Sequence, residues 1–220
     1  MSERRVSGYR VALPPPWERI PLRAGAVERI QEIVDDVADR YTPKHIPPDQ
    51  VGPKKRELVH AMSQQVKDAQ DNGGVDLYVP LADIHGYVVQ ASFVVSEVTP
   101  DAMMKVDEVP QVMASLLRDP SARPVSIDDT VWVRRQEVVP AKDEESLPST
   151  RVEYFTALPG APRYWILSTF STVSAPITDA NGNGNLLIDL FDAIMTTWRW
   201  QDAPTVTPNG RTPGGDDEQS

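Results

Sequence analysis

Asp179-Ala-Asn-Gly-Asn-Gly-Asn185 runs directly into Leu186-Leu-Ile-Asp-Leu-Phe-Asp-Ala-Ile-Met-Thr-Thr-Trp198, and the reading of this junction decides the fold. Asp179, Asn181, Asn183, Gly184 and Asn185 match positions one, three, five, six and seven of an EF-hand calcium loop. Position twelve should hold a bidentate acid, and here it is Leu190. The helix that should lead into the loop is also missing, because Arg163 to Ser174 reads as a strand. The stretch is therefore a polar turn whose glycines permit positive φ and whose Asn185 caps a helix. In that helix Leu187, Leu190, Phe191, Ile194 and Trp198 fall at i, i+3, i+4, i+7 and i+11. Burying five such side chains is worth about 10 kcal/mol gross, at roughly 1.5–3 kcal/mol each. That matches the net stability of a whole domain, so the helix belongs to the core.

Working outward, Tyr9 to Leu13 reads as a short strand ended by Pro14-Pro-Pro16, after which Trp17 to Leu22 returns apolar residues to the core. Residues 25–41 have helical spacing in Val27, Ile30, Val34, Val37 and Tyr41, with Glu28, Glu32, Asp35, Asp36 and Asp39 on the other face. Residues 54–71 form a second helix with Leu58, Met62, Val66 and Ala69 on one stripe, stopped by Asn72-Gly-Gly74. Val75 to Val79 and Tyr87 to Val98 read as strands, the second placing Tyr87, Val89, Ala91, Phe93 and Val95 on one face. A helix over 109–118 follows, then strands Val131–Val139, Arg151–Leu158 and Tyr164–Ser174, the last two joined at Pro159-Gly160. Segregated helices and consecutive strands predict an α+β fold with a mainly antiparallel sheet. It is expected as one domain over residues 8–200, between a flexible N-terminus (1–7) and a disordered Pro/Gly/Asp-rich tail (201–220).

The net charge of -10 argues against nucleic acid, since an acidic surface repels phosphate. No apolar run reaches the roughly 18 residues of a membrane span. No h-region follows Met1-Ser-Glu-Arg-Arg-Val6, and a cytoplasmic location without membrane attachment is expected. The absence of cysteine removes disulfides, thiolate nucleophiles and cysteine-bound metal.

Chemistry-bearing residues are present but scattered. His45, His60 and His85 form no HxH or HExxH spacing, and Asp83 with His85 supplies at most one ligand pair. Ser92, Ser168 and Ser171 lie in no GxSxG elbow. The carboxylate pairs Asp35-Asp36, Asp128-Asp129 and Glu144-Glu145 read as solvated surface. Asn72-Gly73-Gly74 precedes a strand, the reverse of the order a phosphate loop uses. Arg134-Arg135 alternates across a strand, so at least one should face solvent. Trp198-Arg-Trp200 reads as packing on the sheet more than as an exposed recognition patch. No catalytic residue, metal ligand or cofactor site is assigned.

Tyr9-Arg-Val-Ala-Leu-Pro-Pro-Pro-Trp-Glu-Arg-Ile-Pro-Leu22 and Leu190-Phe-Asp-Ala-Ile-Met-Thr-Thr-Trp-Arg-Trp200 resemble the first strand and last helix of PsbP-like domains. The similarity covers residues 8–200 in element order. It implies an α/β/α sandwich used mostly for binding proteins, and it implies no catalytic residues. The lipoproteins of that group carry a lipid-accepting cysteine, which this chain lacks. Arginine in excess of lysine, with abundant Ala, Val, Asp and Pro, resembles the proteins of GC-rich bacteria such as actinobacteria. The function expected is a non-catalytic cytoplasmic domain that binds another protein. The alternative is a small-ligand binder or enzyme using a sheet-face pocket near Asp83, His85 and Tyr87.

Overall fold

A computed structural model of the protein describes residues 5–41, 48–81, 91–98, 109–141, 148–172 and 185–203. The elements are β1 (Val6–Arg10), β2 (Trp17–Pro21), α1 (Ala26–Tyr41), α2 (Pro48–Asp71), β3 (Gly74–Pro80), β4 (Ala91–Val98), α3 (Val109–Leu116), β5 (Ala122–Ile127), β6 (Thr130–Val139), β7 (Ser149–Leu158), β8 (Ala161–Thr172), α4 (Leu186–Thr196) and β9 (Arg199–Asp202). Seven strands pair antiparallel in the order β2-β3-β4-β8-β7-β6-β5, and β1 pairs antiparallel with β9 in a separate ribbon. The fold is α+β with a mainly antiparallel sheet, as the element order predicts. Among the described residues no helix is long and apolar enough to cross a membrane.

Strand alternation divides the core between the two faces of the sheet. On β3 and β4, Tyr78, Phe93 and Val95 point to one face, where they join Trp132, Val152, Tyr154, Ile166 and Phe170 under α4. Leu77 and Val94 point to the other face, where Ile20, Leu22, Ile30, Ile33, Val34 and Val66 close a second core beneath α1 and α2. Stacked rings give the α4 core its shape: Phe170 lies on Phe191 at 4.9 Å between centroids and Tyr78 on Phe93 at 4.1 Å.

Helix α4 forms where the sequence places it. The Asn185 side chain accepts from the Leu187 N–H at 3.1 Å, which satisfies one of the first-turn donors. Its buried residues are Leu187, Ile188, Phe191, Ile194 and Met195, so the stripe is turned toward Ile188 and Met195, and the expected Leu190 is only partly buried. The helix stops at Thr196 instead of Trp198, because the Thr197 hydroxyl turns back to the Ile194 carbonyl at 2.7 Å. At the end of α2, Gly73 has φ +75, and Gly74 leaves no room for a Cβ, which would lie 2.6 Å from the Ala69 carbonyl oxygen.

Four strands differ from the expectation. β1 covers Val6–Arg10 instead of Tyr9–Leu13 and takes in Val6 and Ser7 of the N-terminus expected to be flexible. β2 continues the Trp17–Leu22 return as a true sheet strand. β5 is absent from the expected elements, and it holds Pro124, which an edge strand tolerates. β9 carries strand pairing past the boundary expected at residue 200, out to Asp202. On α1, Val27 is 67% exposed, and Ala26 and Ile33 take its place on the buried face. Of the long strand expected from Tyr87, the part before Ala91 lies outside the described residues.

Candidate functional site

Charge buried beneath α4 and the ribbon is held in closed clusters. Asp76 is 1% exposed and accepts from Tyr9 Oη at 2.5 Å and Arg19 Nε at 2.7 Å. Tyr9 Oη and Tyr78 Oη lie 3.0 Å apart, and the Tyr9 ring stacks on Trp198 at 4.0 Å. This cluster pins the β1–β9 ribbon to the sheet. Burial is the main cause that pushes the Tyr78 hydroxyl up to about 12 and the Tyr9 hydroxyl above its ordinary value, with Tyr78 and Asp76 adding to the latter.

A second cluster fixes α4. Arg134 Nε donates to Asp192 Oδ1 at 2.9 Å and Oδ2 at 3.1 Å, its Nη2 reaches Gln136 Oε1 at 3.0 Å, and Tyr154 Oη donates to Asp192 Oδ1 at 2.7 Å. Burial and the Asp192 bond together raise the Tyr154 hydroxyl. On the opposite face Arg135 Nε bonds Glu153 Oε2 at 2.9 Å, and Arg151 Nη1 bonds Glu137 Oε1 at 3.2 Å. These acids have donors already, and each cluster holds elements together.

The concave feature lies on the face of α1 and α2. A groove of about 640 Å³ opens between the helix pair and the sheet, within the roughly 300–1,000 Å³ of ligand sites. α1 contributes Ile33 and Val37, α2 contributes Leu58, Ala61, Met62 and Gln65, and the floor is Val79, Pro80, Leu81, Ala91, Ser92 and Ser171. The groove exists because α2 buries only part of its stripe: Val66 packs, whereas Leu58 is 40% exposed. The floor adds to the space, since Ser92 and Ser171 are small where the strand positions beside them carry larger side chains. None of these lining residues is titratable, so among the described residues of the groove neither serine has a base to take its proton. A smaller cleft of about 290 Å³ between α1 and α2 is lined by Gln31, Lys55, Arg56, Val59, His60 and Ser63. There Asp35 accepts from Lys55 Nζ at 2.9 Å, and its bonds to Lys55 and Gln31 hold its carboxyl below the ordinary value.

The residues singled out in the sequence fall in different places. Asp179, Asn181 and Asn183 of the calcium-like stretch, His45, His85, Asp83, Tyr87 and the Glu144-Glu145 pair lie outside the described residues. His60 sits in the α1–α2 cleft, away from the groove. Ser92 and Ser171 meet in the groove, and Ser168 is buried on the α4 face. Asp128 and Asp129 make the β5–β6 turn, both at positive φ, and an Asp128 oxygen accepts from the Trp200 N–H at 2.9 Å. Arg134 and Arg135 do take opposite faces, and both are ion-paired. Trp198 and Trp200 pack on the sheet through Trp132, at 5.1 and 5.9 Å between ring centroids. Among the described residues no three metal-ligating side chains come together. The groove lining went unrecognised in the sequence because Leu58 and Met62 read as ordinary core. The one available signal was small Ser at floor positions opposite that stripe.

Neither the protein-family models nor the curated proteins compared with this chain give a match.

Proposed function

We propose that this chain is a cytoplasmic, non-catalytic binding domain that takes an apolar small molecule in the groove between α1–α2 and the sheet. The observation that carries the reading is a cavity of about 640 Å³ with apolar walls and no titratable group among its described lining residues. Binding of such a molecule is driven by apolar burial, and the two serines and Gln65 supply orientation. The net charge of -10 supports a ligand other than nucleic acid.

A second reading, a protein partner whose apolar side chains enter the same groove, is supported by its open rim at Leu58 and by the resemblance to PsbP-like binding domains. Strand addition fits such a partner less well, because the outer strands β2 and β5 carry Pro21 and Pro124.

The test is fluorescence of N-phenyl-1-naphthylamine with the full chain and with Ala61→Trp, which places a large ring in the groove. The expected result is saturable binding by the parent and at least tenfold weaker binding by the variant, each tenfold being about 1.4 kcal/mol. Equal binding by both proteins overturns the groove as the site.

A further inference from the structure

We propose that the groove's ligand is a single-chain aliphatic acid, with its hydrocarbon between α2 and the sheet and its carboxylate against Ser92, Ser171 and Arg151. The proposal rests on the groove reading above and names the ligand class. Ser92 on β4 and Ser171 on β8 are register partners, and Arg151 on β7 is in turn the register partner of Ser171. Register partners in antiparallel strands project to the same face. The three side chains therefore make one row, about 10 Å across two strand spacings, that starts in the groove and ends on a cation.

One observation marks that row as a head-group site: the Arg151 Nε–H is buried and meets no acceptor among the described residues. An unmet buried donor is destabilising, and an arriving carboxylate relieves it with a charge-assisted bond. Glu137 competes for the same guanidinium through Nη1, while Glu153 is already held by Arg135. Polarity at one end and apolar walls elsewhere call for a molecule with one polar end, and Leu58, Met62, Val79 and Leu81 flank its chain.

The experiment displaces N-phenyl-1-naphthylamine from the full chain with decanoate and with decanol, in the parent, in Arg151→Gln and in Ser92→Ala/Ser171→Ala, with circular dichroism to show that each is folded. The expected result is that decanoate competes about tenfold better than decanol, that Arg151→Gln removes this advantage while decanol is unchanged, and that the double serine variant weakens both. Equal competition by the two compounds, or an Arg151→Gln protein that still prefers decanoate, overturns the head-group assignment and leaves the groove standing. If the probe itself does not bind the parent, the groove reading fails and this proposal falls with it.

Discussion

Asp76 illustrates how single residues act in this molecule: a buried carboxylate is tolerable because Tyr9 and Arg19 donate to it from two other strands. Asp76→Ala leaves those donors unmet, and urea unfolding is expected to show a loss of about 2–3 kcal/mol. Arg134→Leu leaves Asp192 of α4 with Tyr154 as its remaining close donor and is expected to cost about 2 kcal/mol by the same measurement. The buried tyrosines also predict a pH dependence. A phenol whose folded value is raised above the ordinary value of 10 contributes stability that is complete below 10 and is lost as pH rises through the folded value, which is about 12 for Tyr78. Unfolding free energy should therefore fall between about pH 10 and pH 12, and Tyr78→Phe should flatten that fall. Stability rising over this range would contradict the burial of the phenols. Little of this was legible in the sequence. Arg134-Arg135 could be placed on opposite faces by strand alternation, but their acids lie 58 and 18 residues away, and pairing at such distances is set by packing and not by local pattern.

At the scale of elements, the junction at Asn185 behaves as a cap. Asn185→Ala is expected to cost about 1 kcal/mol, read from the shift in thermal midpoint. Gly74→Ala is expected to cost about 1–3 kcal/mol, because its methyl would collide with the α2 backbone where the helix crosses onto β3. Helices α1, α2 and α4 and strands β6, β7 and β8 were legible because each repeats its period several times. β5 and β9 were not. Ala122-Arg-Pro-Val-Ser-Ile127 contains a proline that argues against an interior strand, and Arg199-Trp-Gln-Asp202 buries only Trp200, too short a pattern to show a period. β9 forms because Tyr9 and Trp200 are register partners over a core the rest of the chain has built.

For the whole molecule, the two sheet faces divide the work. The α4 face is closed by stacked aromatics and paired charge, and it joins the two ends of the described chain. Among the described residues the α1–α2 face is open over two serines, and the helical period of α2 cannot show this, because Leu58 carries the same spacing as the buried Val66. Two methionines report directly on occupancy of the groove: Met62 lines it, whereas Met195 is on the buried face of α4. The decisive measurement is methionine-methyl NMR during a titration with decanoate. A saturable shift of the Met62 methyl with Met195 unmoved is the expected result. A Met62 methyl that stays in place, or a Met195 methyl that moves equally, would contradict it.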